Sequence, residues 1–404
     1  MNASSASSIS QGDYDSPLPS THTGRRTPIS QFQRMEVAVR DPVRLCQLSV
    51  EDAQLPLSLR GIVRDLSLMG KSRGVIHQAF QASAPLFSPL IADRVLWSDD
   101  ADTHVHPQTT LLEARRTDLR LDDIDDAVFA SESLWNRLAN PNLHPYHPNT
   151  TTTTSSSSSV CPPLDEVFDV HASAKECHNE MHPEASWNMP VHQRILALAV
   201  SQCWARSDSA VHFMPCTTAK IQPTYRRGSG AGSAKMVDFA MYIEPSFFGD
   251  DDNSAVDTTR KLLSDASINH TDFAPLRRRP IALSIESKTT GHQLLEAEVQ
   301  VGVWLAAQWR MLESLPKRPT AAESDVGLLP SFLPAVIVQG HDWHFVATTR
   351  TGTYTTLWAK QTFGTSETVL GVYQIICVLR YLARWAEQQY WPSFRQFALG
   401  LPPP

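Results

Sequence analysis

The sequence predicts an α/β fold, a mixed central sheet flanked by helices, with a helical N-terminal region ahead of it. Two patterns carry that expectation. Stretches with apolar residues at helical spacing alternate with short apolar runs bounded by turn residues, the signatures of helices and strands. From residue 184 onward their order is helix, strand, strand, helix, strand, strand, helix, which suits helices packed around one sheet. The chain has the material for such a core, with 404 residues of which 42% are hydrophobic. That is too apolar for a wholly disordered protein.

Residues 1–30 are mostly Ser, Thr, Pro and Gly with few apolar anchors, and read as a disordered tail. A helical N-terminal region is expected over 31–148. In LPLSLRGIVRDLSLMG, Leu57, Leu59, Ile62, Leu66 and Leu68 fall near one helical face. TTLLEARRTDLRLDDIDDAVFASESLWNRLA continues with apolar residues set among charges. The tract NTTTTTSSSSS cannot pack and marks a linker over 149–160. A domain over 161–404 follows. Its first helix runs from Glu184 to Trp204, with Trp187, Val191, Ile195 and Leu198 at helical spacing. MVDFAMYI (236–243) and IALSI (281–285) read as strands, separated by an acidic loop, GDDDNSAVD, and a basic run, Arg277–Arg279. A long helix is expected from His292 to Leu315. LPAVIVQGHDWHFVATT and GTYTTLWAK supply two more strands, and Glu367 to Tyr390 a closing helix.

Composition excludes several classes. A formal charge of −7 argues against a general basic coat for nucleic acid, although a local basic groove survives such an average. The most apolar stretch, VLGVYQIICVLRYLARWA, is interrupted by Gln374, Arg380 and Arg384 before the ~20 apolar residues a membrane span needs. The start lacks the charged and apolar regions of a signal peptide. The six cysteines are scattered without a CxxC pair, so reduced thiols in an intracellular protein are expected.

The sharpest chemical signal is strand alternation. In IALSIESK, Ile281, Leu283 and Ile285 share one face, and Ala282, Ser284, Glu286 and Lys288 the other. In VDFAMYI, Val237, Phe239, Met241 and Ile243 face one way, with Asp238, Ala240 and Tyr242 opposite. A carboxylate in an apolar strand is costly unless it is paired or ligates a metal. An ordinary ion pair with Lys288 is one reading. Charge counting favours the other, because Asp238 and Glu286, with Glu184 as a third candidate, outnumber that lysine. A divalent cation balances them, and hard oxygen donors select Mg²⁺ or Mn²⁺. Among the lysines only Lys288 follows an acid by two residues.

A helix bearing Glu, a strand bearing Asp, a strand bearing Glu-x-Lys and a helix bearing Gln resemble the PD-(D/E)XK nuclease superfamily. EASWNMPVHQRIL, MVDFAMYI, SINHTDFAPLRRRPIALSIESK, VQVGVWLAAQ, VIVQGHDWHF and LGVYQII together resemble a fungal group of such proteins, over about Cys161 to Phe394. Val237 stands where the superfamily has Pro before the Asp. The resemblance implies a restriction-endonuclease-like fold and metal-dependent hydrolysis of phosphodiester bonds in nucleic acid, DNA favoured. It implies that Asp238 and Glu286 hold the metal, with the Ser287 carbonyl as a third ligand and Glu184 completing or water-bridging the coordination. Lys288, with a depressed pKa, would orient or deprotonate the attacking water, and Gln300 would brace Lys288 or a phosphate. A catalytically silent descendant that binds nucleic acid or a protein is the alternative.

Glu184, Asn188 and His192 fall on one helical face, which either looks into the site or carries only a first-turn acid favoured by the helix dipole. Arg277, Arg278 and Arg279 either touch phosphates or form solvated surface. His178 and His182 lack the HExxH pattern of a zinc site, and GSGAGSAK (228–235) lacks the ending of a phosphate loop.

Overall fold

The computed structural model describes residues 27–77, 129–130, 162–200, 209–226, 236–263, 265–289, 291, 293–315 and 329–404. Helix α1 (Pro28–Glu36) starts at Thr27, whose hydroxyl accepts from the Ser30 amide, so residues expected in the tail open a helix. Strand β1 (Val43–Gln47) and α2 (Leu57–Gly70) follow, then a two-residue strand β2 (Ile76–His77) paired with β3 (Phe129–Ala130). The rest of the expected tail, the tract at 149–159, the segment at 228–235 and most of the 109–139 stretch lie outside the described residues.

Helix α3 (Leu164–Asn179) leads to α4 (Glu184–Trp187), which runs through a π-helical turn (Asn188–Gln193) into α5 (Arg194–Ala199). Next come β4 (Val211–Pro215), β5 (Phe239–Ile243), α6 (Asp250–Lys261), β6 (Ile281–Lys288) and α7 (Leu294–Ser314). The chain ends in β7 (Leu333–Gln339), β8 (Asp342–Thr351), β9 (Tyr354–Thr365) and α8 (Val369–Trp385), extended by further helical turns. One sheet of seven strands runs β1-β9-β8-β7-β6-β5-β4. The pairs β6–β7 and β1–β9 are parallel and the others antiparallel. The fold is thus the expected restriction-endonuclease-like α/β arrangement, a mixed sheet between helices.

Register assigns the two faces. Ser284 pairs with Ala335 and Ala335 with Val346, and this row faces α7, where Trp304 Nε1 donates to Ser284 Oγ at 2.9 Å. Trp309 Nε1 reaches Thr348 Oγ1 on the same side at 3.0 Å. The opposite row holds Ser287, Val338 and Trp343, and the Trp343 ring lies 5.7 Å from that of His192 in the π turn. Helix α7 and the α4–α5 helix therefore cover opposite faces. The site described below straddles the end of the strand between them.

Several elements differ from the sequence reading. Strand β1 arises inside the stretch expected to be helical and forms an edge of the main sheet through pairing with β9, more than 300 residues away (Val43↔Thr355). The acidic "loop" is α6, whose first turn carries Asp250, Asp251 and Asp252 and whose last carries Arg260 and Lys261, complementing the helix dipole. LPAVIVQGHDWHFVATT is two strands, folded back at Gly340, where φ is +57°, a region glycine enters without steric cost. Strand β6 shows no solvent-facing side, since all eight of its residues are buried. Among the described residues Val369–Leu399 is long and apolar enough to cross a membrane, but 78% of its most apolar window is packed inside this fold.

Helix α8 enters very close to the end of β9. A Cβ on Gly371 would sit 2.0 Å from the Thr365 carbonyl oxygen, with backbone that cannot rotate away. Gly371→Ala is expected to lower stability by about 1–3 kcal/mol through overpacking. A thermal unfolding midpoint equal to wild type would contradict this account of the junction.

Candidate metal centre

The centre is built where β5 begins and β6 ends. Asp238 immediately precedes β5 and is held through its backbone: its amide donates to the Ile285 carbonyl at 3.0 Å and its carbonyl accepts from the Cys216 amide at 2.8 Å. One step beyond the pair Phe239↔Ile285, this sets Asp238 across from Glu286. Glu184 arrives from the start of α4, immediately after Pro183, which fits the first turn because its missing N–H would have no helical partner. Ligand-capable oxygens of Glu184, Asp238 and Glu286 all lie within 4.8 Å of one another.

Lys288 is the cation these acids share among the described residues. Its Nζ donates to Glu286 Oε1, to the Ser287 carbonyl at 2.8 Å and to Glu184 Oε2 at 3.4 Å. Three acids against one ammonium leave excess negative charge, and the cause of the shifted acidities follows. Burial pushes the Glu286 carboxyl well above its ordinary range, Lys288 pulls it back, and Asp238 and Glu184 raise it further. Glu184 is raised in the same way, first by burial. For Lys288 burial acts downward, but the acids around it outweigh that and the net shift is upward. The depressed lysine expected from the sequence is therefore corrected. In the metal-free protein Lys288 is an ammonium held by acids.

The remaining contacts show which groups orient which. Asp238 Oδ2 accepts from the Ser287 amide at 2.8 Å and the Ser287 hydroxyl at 2.7 Å. Asp238 Oδ1 receives Asn188 Nδ2 at 3.4 Å. So Ser287 offers its carbonyl to Lys288 and clasps Asp238 with its other polar atoms. Gln300 is placed with its amide on the Met236 carbonyl, at 2.6 Å, and so anchors the backbone two residues before Asp238. Asn188 faces the centre with Glu184, and His192 stands behind it, with Nδ1 at 2.9 Å from Asn188 Oδ1. The link from Asn188 to Ser287 had no signal in the sequence, because it joins residues 99 positions apart.

The structure does not bring the arginine run to this place. Arg277–Arg279 precede β6 while the acids sit at its far end, roughly 23 Å away at ~3.3 Å per strand residue. Arg277 donates to the Asp272 carbonyl, Arg278 pairs with Asp257 and Asn253, and Arg279 pairs with Glu244 at 2.7 Å. They brace the entry to the strand.

One atom tests whether a cation fits. Glu286 is 1% exposed, and its Oε2 is buried with no hydrogen-bond partner among the described residues. A buried unpaired carboxylate oxygen beside two further acids is a strongly unfavourable arrangement without a positive ligand. The donors are all hard oxygens, so the group they fit is a hard divalent cation, which Asp238, Glu286 and Glu184 would hold. Once bound, such an ion supplies Lewis acidity toward a phosphoryl oxygen and an acidified water.

With the fold and geometry established, comparison with known families decides the class. The sequence model of the PD-(D/E)XK nuclease superfamily matches residues 136–391. The chain belongs to that superfamily. No curated protein and no solved structure matches it. The matched stretch contains Asp238, Glu286 and Lys288, the acids and lysine that the resemblance implied, and these residues lie together at the end of β6.

Proposed function

We propose that this protein is a Mg²⁺- or Mn²⁺-dependent nuclease that hydrolyses phosphodiester bonds, with DNA as the favoured substrate. The observation that carries the reading is the gathering of Glu184, Asp238 and Glu286 within 4.8 Å of one another, with Lys288 bound to two of them and Glu286 Oε2 left without a hydrogen-bond partner among the described residues. Phosphodiester cleavage needs charge neutralisation at the phosphate and a positioned water, and this donor set suits the first need. Lys288 serves as a protonated donor that orients water or phosphate beside the acids. Ser287 and Gln300 hold the Asp238 segment in place. The flanking segments EASWNMPVHQRIL and LGVYQII support placing the chain with a fungal group of the superfamily, and the free Cys46, Cys177, Cys216 and Cys377 among the described residues support an intracellular location.

Purified full-length chain with Mn²⁺ or Mg²⁺ is expected to cut at least one of supercoiled plasmid, linear duplex and single-stranded DNA. Chelation and Asp238→Asn are each expected to abolish that cleavage. A second reading, a silent nucleic-acid binder, draws on the tight Lys288–Glu286 pair, which on its own resembles a structural ion pair. Salt-sensitive DNA binding without metal-dependent cleavage, unchanged in Asp238→Asn, would decide for that reading.

A further inference from the structure

We propose that Asn188 is a positioning residue that sets the rotation of the Asp238 carboxylate toward the cation, and that His192 fixes Asn188 in turn. The proposal rests on the metal-centre reading above and adds to it two residues outside the acid and lysine set. Its logic is donor and acceptor arithmetic. An ionised carboxylate only accepts, so the Asn188 atom facing Asp238 Oδ1 must be the amide nitrogen, Nδ2. The amide oxygen then faces Ser287 Oγ at 3.0 Å and His192 Nδ1 at 2.9 Å. Ser287 has one hydroxyl proton, and the shorter, charged acceptor at 2.7 Å, Asp238 Oδ2, takes it. That leaves His192 Nδ1–H as the donor to Asn188.

Independent features hold this chain rigid. The His192 side chain is 1% exposed, and its ring stacks on Trp187 at 6.0 Å and meets Trp343 edge-on at 5.7 Å. Burial keeps the ring neutral, with its pKa pulled down to about 3. Both residues sit within the π turn Asn188–Gln193, a departure from regular helix of a kind frequent at functional sites. Among the described residues, Asp238 Oδ2 is occupied by two donors from Ser287, whereas Oδ1 has only the long contact from Asn188. The amide therefore aims the less occupied oxygen at the site without saturating it.

Mn²⁺ titration calorimetry of the full chain tests this, with the metal-free unfolding temperature recorded for every variant. Asn188→Leu is expected to weaken Mn²⁺ binding by ~10–100-fold, the range for residues that orient metal ligands. His192→Leu should weaken it in the same direction, and His192→Gln, which keeps an N–H donor, should restore most of the loss. A purely packing role would lower the metal-free unfolding temperature and leave the affinity of the folded protein unchanged, which would overturn the proposal. Should Asn188→Leu fail to fold, Asn188→Ala carries the same test. Wild-type affinity in the Asn188 variant defeats the positioning role alone, whereas wild-type protein that binds no Mn²⁺ defeats the metal centre itself.

Discussion

Lys288→Met is expected to reduce metal-dependent DNA cleavage by ~10²–10⁴-fold, the scale of a lost proton-handling or orienting group, while Mn²⁺ affinity stays the same or tightens. The two halves of that result have one cause. The ammonium occupies Glu286 Oε1 and lies 3.4 Å from Glu184 Oε2, so it competes with a divalent ion for the same carboxylates. Methionine keeps much of the stem's apolar packing and removes the competitor. In the absence of metal the variant should lose stability, because truncating one partner of a buried pair leaves the other charge uncompensated. Added Mn²⁺ should recover that loss. If Lys288 were only a structural partner of Glu286, cleavage by the folded, metal-loaded variant would match wild type. Parallel cleavage assays and calorimetry on the same preparation separate the outcomes.

The metal-free and metal-loaded proteins are expected to respond to pH in opposite directions. Glu286 and Glu184 have folded-state acidities raised above the ordinary carboxyl value of 4.5. A raised folded value means that their contribution to stability is fully present below the unfolded value and is lost as pH climbs through the folded one. Lys288 is also raised, so its contribution persists until pH passes its ordinary 10.5 and leaves this window untouched. From these groups, the metal-free protein therefore loses stability as pH climbs above the ordinary carboxyl value and through the raised folded one of Glu286, with the partly exposed Glu184 contributing little after solvent screening. Metal binding requires the deprotonated acids, so the stabilisation given by Mn²⁺ grows over the same range. At Mn²⁺ a hundredfold above Kd that stabilisation is about 2.7 kcal/mol. Unfolding temperatures measured with and without Mn²⁺ should diverge as pH rises, and Glu286→Gln should flatten the divergence. A constant gap between the two curves would mean that Glu286 does not hold the ion.

The alternation in IALSIESK and VDFAMYI was enough to find the acids, because strand geometry is local and a carboxylate in an apolar run is conspicuous. Helices α2 and α7 were legible for a similar reason, since their apolar spacing persists over several turns. Strand β1 was not legible. Five residues with a weak alternating pattern carry little local signal, and pairing with β9 across the length of the chain makes them a strand. The hairpin at Gly340 carries a short polar break, Gln339 to Asp342, but the buried apolar strands on either side read as one continuous stretch. Arg277–Arg279, which in sequence could either touch phosphates or form solvated surface, pair in the fold with Asp257, Glu244 and a backbone carbonyl, with Arg278 still 46% exposed.

The α/β class and the candidates Glu184, Asp238, Glu286 and Lys288 were legible in the sequence alone, through periodicity and the scarcity of charge in apolar strands. Only the tertiary structure decided the state of those groups. It showed that the lysine is drawn upward rather than downward, that Gln300 serves the backbone at Met236, and that Asn188 and Ser287 share Asp238. The reason is physical. Which residues a strand presents is a property of neighbouring positions, whereas acidity and hydrogen-bond partnership depend on burial and on charges that folding brings from distant parts of the chain.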